Sequence, residues 1–210
     1  GNGRGRLEES VEIANFLLPR GKVIVTTKGK TKQASNTYKT LREPLDLDIP
    51  ITVLVNGATA SASEILSGAF QDFDRAVIVG SRTFGKGLVQ TTRPLPYGGV
   101  MKLTTSKYYI PSGRCVQAID YKHRNEDGSV GTIPDSLTTV FHTAAGREVR
   151  DGGGVMPDIE VKQEKLPNIL FYLVRDNLIF DYATQYCLKH PSIPSPQEFK
   201  VTDADYNDFK

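Results

Sequence analysis

The sequence predicts an α/β fold, and three stretches carry the prediction. Ile51–Val55 and Ala76–Val79 are short apolar runs on either side of a helical stretch from Ser61 to about Phe73. Strand, helix and strand within about 30 residues form a βαβ unit with a parallel sheet. From Leu88 to Ile110 the texture shifts to alternating, β-branched and aromatic residues broken by Pro94, Pro96 and Gly98–Gly99, which reads as an added β meander. From Leu166 to about Cys187 the pattern is helical again, until Pro191, Pro194 and Pro196 interrupt it.

The other elements follow in chain order. Gly1–Gly5 is a glycine-rich loop with no element before it, so a preceding strand is expected outside this chain. Leu7, Val11, Ala14 and Leu18 recur at helical spacing, and Pro19 and Gly21 stop that helix. Val23–Val25 reads as a buried strand, Lys28–Lys30 as a turn, and the polar stretch to Pro44 as partly extended. The continuous apolar run Ile51–Val55 predicts a strand in a sheet covered on both faces. Ile65, Leu66, Ala69 and Phe70 give the central helix its apolar face. Asn125–Gly128 marks an exposed turn, a hairpin is predicted around Ala145–Gly146, and Thr202 caps a short last helix. The domain boundary is set at residues 1–162 for the core and 163–210 for a C-terminal helical extension.

Composition narrows the function. The 210 residues are 39% hydrophobic and 24% charged with a formal net charge of +2, an ordinary globular balance. Lys and Arg are scattered, which argues against a nucleic-acid partner. No apolar run reaches the roughly 18 residues of a membrane span. Cys115 and Cys187, and the three histidines, match no metal-ligand spacing, so no metal is expected; the two cysteines either pair or stay free.

Two residues carry the chemistry. Ser61 follows a strand and an Asn56–Gly57 turn and opens a helix. The first N–H groups of a helix are unpaired and its dipole favours negative charge. Both would stabilise an oxyanion, with Ala62 N–H the nearest donor. The plainer reading is an N-cap, because Ser61–Glu64 has the S-x-x-E form of a capping box. Ser63 and Ser67 compete as nucleophiles on local sequence alone.

Lys86 lies in Gly80–Gly87, which nearly matches the phosphate-binding loop G-x-x-x-x-G-K-[ST]. Gly87 replaces the residue that would hold magnesium, and the β-branched Leu88–Pro94 supplies no helix N-terminus, so nucleotide binding is disfavoured. Gly85 and Gly87 instead allow a close backbone approach that turns Lys86 inward. A buried lysine away from carboxylates is more easily deprotonated and becomes a general base. If residues 86–90 are extended, Lys86, Leu88 and Gln90 share a face, and Gln90 can orient the amine. The alternative is a lysine in a solvated loop.

Taken together, Asn56–Ile65, Gly68–Asp72, Arg75–Ala76, Gly80 and Thr83–Gln90 resemble the carboxyl-terminal processing proteases, also called tail-specific proteases. Leu7–Gly21, Tyr108–Arg114 and Gly152–Asp158 resemble other blocks of that family, so the likeness spans about residues 1–162. It implies a core similar to the crotonase and ClpP-like spiral of βαβ units. It also implies a serine endopeptidase without a cofactor, cutting protein substrates near their C-termini. By position, Ser61 would be the nucleophile, Lys86 the general base and Gln90 the residue orienting the lysine.

Two departures from the family pattern stand out. Arg4 occupies a position where the family usually has a glycine whose N–H helps form the oxyanion hole, leaving Gly3 or Gly5 as the donor beside Ala62. A PDZ domain that binds substrate C-termini usually lies upstream and is absent from this chain, so a fragment is expected. The resemblance further implies peptide substrates bound as an added β-strand, a possible homo-oligomer, and a place in the bacterial envelope or periplasm. Rival readings are an inactive peptide-binding scaffold and a crotonase-like acyl-CoA enzyme.

Overall fold

The computed structural model describes residues 1–3, 5–162 and 166–210. It divides into two compact units, Gly1–Lys162 and Gln163–Lys210.

In the first unit α1 (Leu7–Leu17) is followed by β1 (Val23–Gly29) and β2 (Asn36–Lys39). The βαβ unit comes next: β3 (Thr52–Val55), α2 (Ala62–Asp72) and β4 (Val77–Gly80). Then come β5 (Leu88–Pro94), β6 (Val100–Tyr109), β7 (Ile119–Arg124), β8 (Val130–Thr132), β9 (Val140–His142), β10 (Glu148–Arg150) and β11 (Ile159–Glu160). β3 and β4 pair in parallel, as the short apolar runs around a helix require, and β11 extends that sheet on the β4 side. The predicted meander is a long antiparallel β5–β6 hairpin, which joins β1 and β2 in a sheet of order β2-β1-β6-β5. β7–β8 and β9–β10 are separate hairpins.

α2 sits at the centre. Ile65, Ala69 and Phe70 pack in a core with Val11, Ala14 and Leu18 of the α1 region, Ile24 and Val25 of β1, and Ile78 of β4. Fully burying an isoleucine such as Ile65 contributes about 1.5–3 kcal/mol. Gly68 keeps the helix close to its neighbours: a Cβ there would lie 2.6 Å from Ile110 Cδ1. α2 also buries polar side chains, among them Glu64, Gln71 and Asp72.

The expectation of a sheet covered on both faces is corrected. Val55 and Ile78 are buried, but Leu54 on the opposite face is 77% exposed and Val77 is 44% exposed. The helices that bury the inner face pack on one side only, and an apolar run does not say whether the other side is covered.

In the second unit the single predicted helix is two, α3 (Asn168–Arg175) and α4 (Leu178–Lys189). Asn177 between them is left-handed, with φ 58°. Asparagine tolerates that conformation, but the apolar periodicity runs on through it and hides the break. α5 (Asp203–Phe209) is capped by Thr202, whose Oγ1 accepts from Asp205 N–H at 3.2 Å while Thr202 N–H donates to Asp205 Oδ2 at 2.8 Å. Cys115 and Cys187 are both free.

Candidate active site

The site forms where two loops meet at the N-terminal end of α2. The first leaves β3 through a tight turn in which Thr59 N–H donates to Asn56 C=O at 2.8 Å. It delivers Ser61 at φ 62° and ψ −122°, a left-handed conformation for a residue with a Cβ. Such a conformation costs on the order of 1–3 kcal/mol and persists only where its surroundings enforce it. Here Ser61 N–H donates to Glu64 Oε2 at 2.9 Å, and Ser61 C=O accepts from Glu64 N–H at 2.8 Å and Ile65 N–H at 3.1 Å. The S-x-x-E box is therefore present, with Glu64 closing its half. The Glu64 N–H faces the Ser61 side chain in the box while its 2.8 Å hydrogen bond goes to the Ser61 carbonyl.

The second loop leaves β4. Gly80 has φ +134°, and a Cβ on it would sit 1.9 Å from Val55 C=O. Gly85 has φ +83°, and a Cβ there would sit 2.3 Å from Ala118 Cβ; one on Gly87 would sit 2.7 Å from Gln117 N. The two glycines thus permit the close backbone approach predicted for them, to the segment 116–118. Ala118 N–H donates to Gly85 C=O at 2.9 Å, and Gly87 N–H donates to Gln117 Oε1 at 2.8 Å. β5 begins at Leu88, so no helix follows the lysine and the phosphate-loop geometry is missing.

Ser61, Ala62, Lys86, Gln90 and Gly5 line one cleft of about 490 Å³, walled by residues of β1, β2, β5 and β6. Ser61 and Lys86 are half-buried and Gln90 is exposed. No carboxylate among the described residues pairs with the Lys86 ammonium within ion-pair distance. Gly5 is packed on the helix start, where a Cβ would come 2.9 Å from Ala62 Cβ. Asn2 C=O accepts from Ala60 N–H at 2.9 Å, which docks the opening loop against the serine turn. Gly3 is not among the lining residues and faces Ala58 C=O. Arg4 lies outside the described residues.

β5 starts at Leu88, so the alternation predicted for Lys86, Leu88 and Gln90 applies within the strand to Leu88 and Gln90. Leu88 pairs with Lys107 and Val89 with Ser106, but Gln90 pairs with Thr104. The extra residue of this β-bulge, Thr105, lies on β6, so β5 keeps its alternation and Leu88 and Gln90 share a face. Both also line a second cavity with Thr104 and Lys107, while Val89 packs against the core. Leu88 and Gln90 still line the cleft.

Two residues that join the serine and lysine loops were not singled out from sequence. Glu64, read there only as a cap partner, is 0% exposed and accepts at both oxygens. Thr83 Oγ1 (2.6 Å) and Gly85 N–H (2.7 Å) donate to Oε1; Lys86 N–H (2.8 Å) and Ser61 N–H donate to Oε2. Tyr108 of β6, read only as a strand residue, is buried, and its hydroxyl is shared between the carbonyls of Ser61 (3.2 Å) and Lys86. Burial, reinforced by the Glu64 carboxylate and Cys115, raises the phenol well above its ordinary value, so it stays a donor. The S-x-x-E spacing pointed to Glu64; nothing in an alternating strand distinguishes Tyr108.

The family model for peptidase family S41 matches residues 1–135, and that for the C-terminal helical domain of probable PDZ-proteases matches residues 169–210. The chain is 42% identical over 118 residues to a carboxy-terminal-processing protease of Bartonella bacilliformis, covering 56% of this chain and 27% of that one. It is 43% identical over 117 residues to a probable CtpA-like serine protease of Staphylococcus aureus, covering 55% and 23%. The chain thus spans about a quarter of the length of these relatives. Among solved structures it resembles a photosystem II D1 C-terminal processing protease, with a TM-score of 0.55 and 30% identity over 83% of this chain and 36% of that one. With well over half of its length matched by the family model, the chain belongs to peptidase family S41.

Proposed function

We propose that this chain carries the catalytic centre of a serine endopeptidase that cuts protein substrates near their C-termini. The observation that carries this reading is Ser61, held in a left-handed conformation at a helix start, in the same cleft as Lys86.

In the proposed reaction Ser61 Oγ attacks the scissile carbonyl carbon while the unprotonated Lys86 amine takes the hydroxyl proton. Negative charge develops on the carbonyl oxygen. Ala62 N–H, at the first position of α2, and the backbone of Gly5 beside it are the proposed donors to that oxygen. The C–N bond then breaks, and the leaving amine takes the proton from Lys86. Water, deprotonated by the same amine, attacks the acyl-enzyme ester. The bond from the acyl carbon to Ser61 Oγ breaks, the new C-terminal carboxyl product leaves, and Ser61 Oγ takes its proton back from Lys86. Gln90 orients the lysine from β5. No cofactor takes part in this scheme.

Substrate is proposed to bind as an added β-strand. Support comes from the cleft's walls, which belong to a sheet whose edge strand β5 carries Gln90. The core is proposed to follow the crotonase and ClpP-like spiral, in keeping with its parallel βαβ unit. An upstream PDZ domain presenting substrate C-termini, a homo-oligomeric state and an envelope or periplasmic location complete the reading.

The test uses the full-length enzyme and a peptide substrate. Ser61→Ala and Lys86→Ala each abolish turnover while the circular dichroism spectrum is retained. Lys86→Arg is equally inactive, because a guanidinium does not give up its proton. Wild-type turnover in any of the three refutes the dyad.

A further inference from the structure

Serine and lysine reach the cleft on separate loops, one from β3 and one from β4, and must be held in fixed register. Backbone pairing between the loops does not do this for Ser61 and Lys86 themselves. Two buried side chains do. The Glu64 carboxylate takes one N–H from the serine loop and three donors from the lysine loop. The Tyr108 hydroxyl, from a third element, reaches the carbonyls of the same two residues. Ser61 and Lys86 are therefore each gripped at both N–H and C=O, and each grip is shared with the other residue.

We propose that Glu64 and Tyr108 are positioning residues that together fix the Ser61–Lys86 separation. This rests on the dyad reading above. Neither side chain's hydrogen-bonding group is available for the reaction. All four Glu64 bonds are to protein donors, and the Tyr108 hydroxyl is spent on two carbonyls. Their value lies in geometry. Burying a carboxylate without a cation is costly unless its oxygens are satisfied, and four donors at 2.6–2.9 Å satisfy it. The carboxylate can then be met only when both loops are in place. A cation in that role would work less well, because a long, mobile ammonium or guanidinium would not specify two backbones at once. A displacement of about 1 Å between reacting groups is enough to cost about 10²-fold in rate.

The two variants remove the grip by different routes. Glu64→Gln keeps the shape but turns an NH₂ group onto two of the four donors. Tyr108→Phe deletes only the shared hydroxyl. In the full-length enzyme, Glu64→Gln is expected to lower kcat about 10²-fold. Tyr108→Phe is expected to lower it about tenfold, the loss of one hydrogen bond from the ground-state geometry. KM for the peptide stays at the wild-type value in both. Labelling of Ser61 by a fluorophosphonate probe slows in parallel with kcat, and both rates are normalised to the folded fraction measured by circular dichroism.

If Glu64→Gln fails to fold, Tyr108→Phe decides alone. Wild-type kcat in Tyr108→Phe, or losses in kcat that the unfolded fraction accounts for in full, overturns the proposal. Ser61→Ala is run alongside. If it is inactive while Tyr108→Phe is fully active, the brace is wrong and the dyad stands. If Ser61→Ala is itself active, the dyad reading fails and the brace fails with it.

Discussion

The two ends of α2 each bury a carboxylate, and they do so by opposite means. At the C-terminal end Asp72 is 3% exposed and pairs with Arg114, itself buried, at 2.9 Å. Ser112 N–H donates to its other oxygen at 2.9 Å, and Arg114 also reaches Gln71 Oε1 at 2.7 Å. At the N-terminal end Glu64 is buried with no cation paired to it among the described residues, satisfied by three backbone N–H groups and one hydroxyl. An ion pair suits a place where nothing needs to titrate. In the proposed mechanism Lys86 has to lose its proton, and a carboxylate against its amine would favour the charged form. Glu64 holds the Lys86 backbone and leaves the amine to the cleft. The same helix thus closes its C-terminal end with charge and its N-terminal end with neutral donors.

The largest effect should come from breaking the charged end. Asp72→Asn leaves the Arg114 guanidinium buried and unpaired, which costs about 3–5 kcal/mol. Urea unfolding followed by circular dichroism measures it, and a loss below about 1 kcal/mol would show that the pair is already solvated. The variant also has a pH signature. Burial raises the Asp72 carboxyl above its ordinary value, with Arg114 and the Ser112 contacts opposing. The folded chain therefore holds that proton more tightly than the unfolded one. The resulting stability is complete below the unfolded value of 3.8 and is lost as pH rises through the folded value. Asp72→Asn should remove this slope from the stability curve.

A second way to sharpen the contrast is to move the lysine loop without touching a charge. In Gly85→Ala the new methyl would lie 2.3 Å from Ala118 Cβ, on a backbone at φ +83°. Overpacking costs about 1–3 kcal/mol, and the left-handed conformation adds about 1–2 kcal/mol. Since Gly85 N–H is one of the Glu64 donors, the shift should also reach Lys86. Thermal unfolding and kcat are expected to fall together. A variant that loses stability but keeps full kcat would mean that the loop can give without moving the lysine.

Much of the frame was legible in the sequence because it depends on local rules. The βαβ unit follows from two apolar runs around a helical period, the lysine loop from Gly85 and Gly87, and the last helix from Thr202 with Asp205 three residues on. The failures have a common cause. The break at Asn177 and the open face at Leu54 depend on what lies across the chain, and neither leaves a mark in the local pattern. The same holds within the site. Ser61, Lys86 and Gln90 were visible as motif residues, whereas Tyr108 reaches the Ser61 carbonyl from 47 residues away. Glu64 was visible only for the contact three residues back, not for those 19 to 22 residues ahead.

The smallest and most specific perturbation is Thr83→Val, which preserves shape at the neutral end of the helix. Thr83 Oγ1 donates to Glu64 Oε1 and accepts from Val155 N–H at 2.7 Å, so one hydroxyl ties the lysine loop to Glu64 and to the irregular segment after Gly154. Valine replaces it with a methyl and leaves the Val155 N–H unpaired in a buried setting, a cost of about 1–3 kcal/mol. Glu64 keeps its three backbone donors, among them those from Ser61 and Lys86. Stability should therefore fall by about that amount while kcat changes less than in Tyr108→Phe, which releases Ser61 and Lys86 directly. Urea unfolding and steady-state kinetics on the full-length enzyme give both numbers. A kcat loss in Thr83→Val larger than in Tyr108→Phe would mean that the N-terminal end is held through Thr83 and Val155, and that the neutral closure around Glu64 depends on the loop behind it.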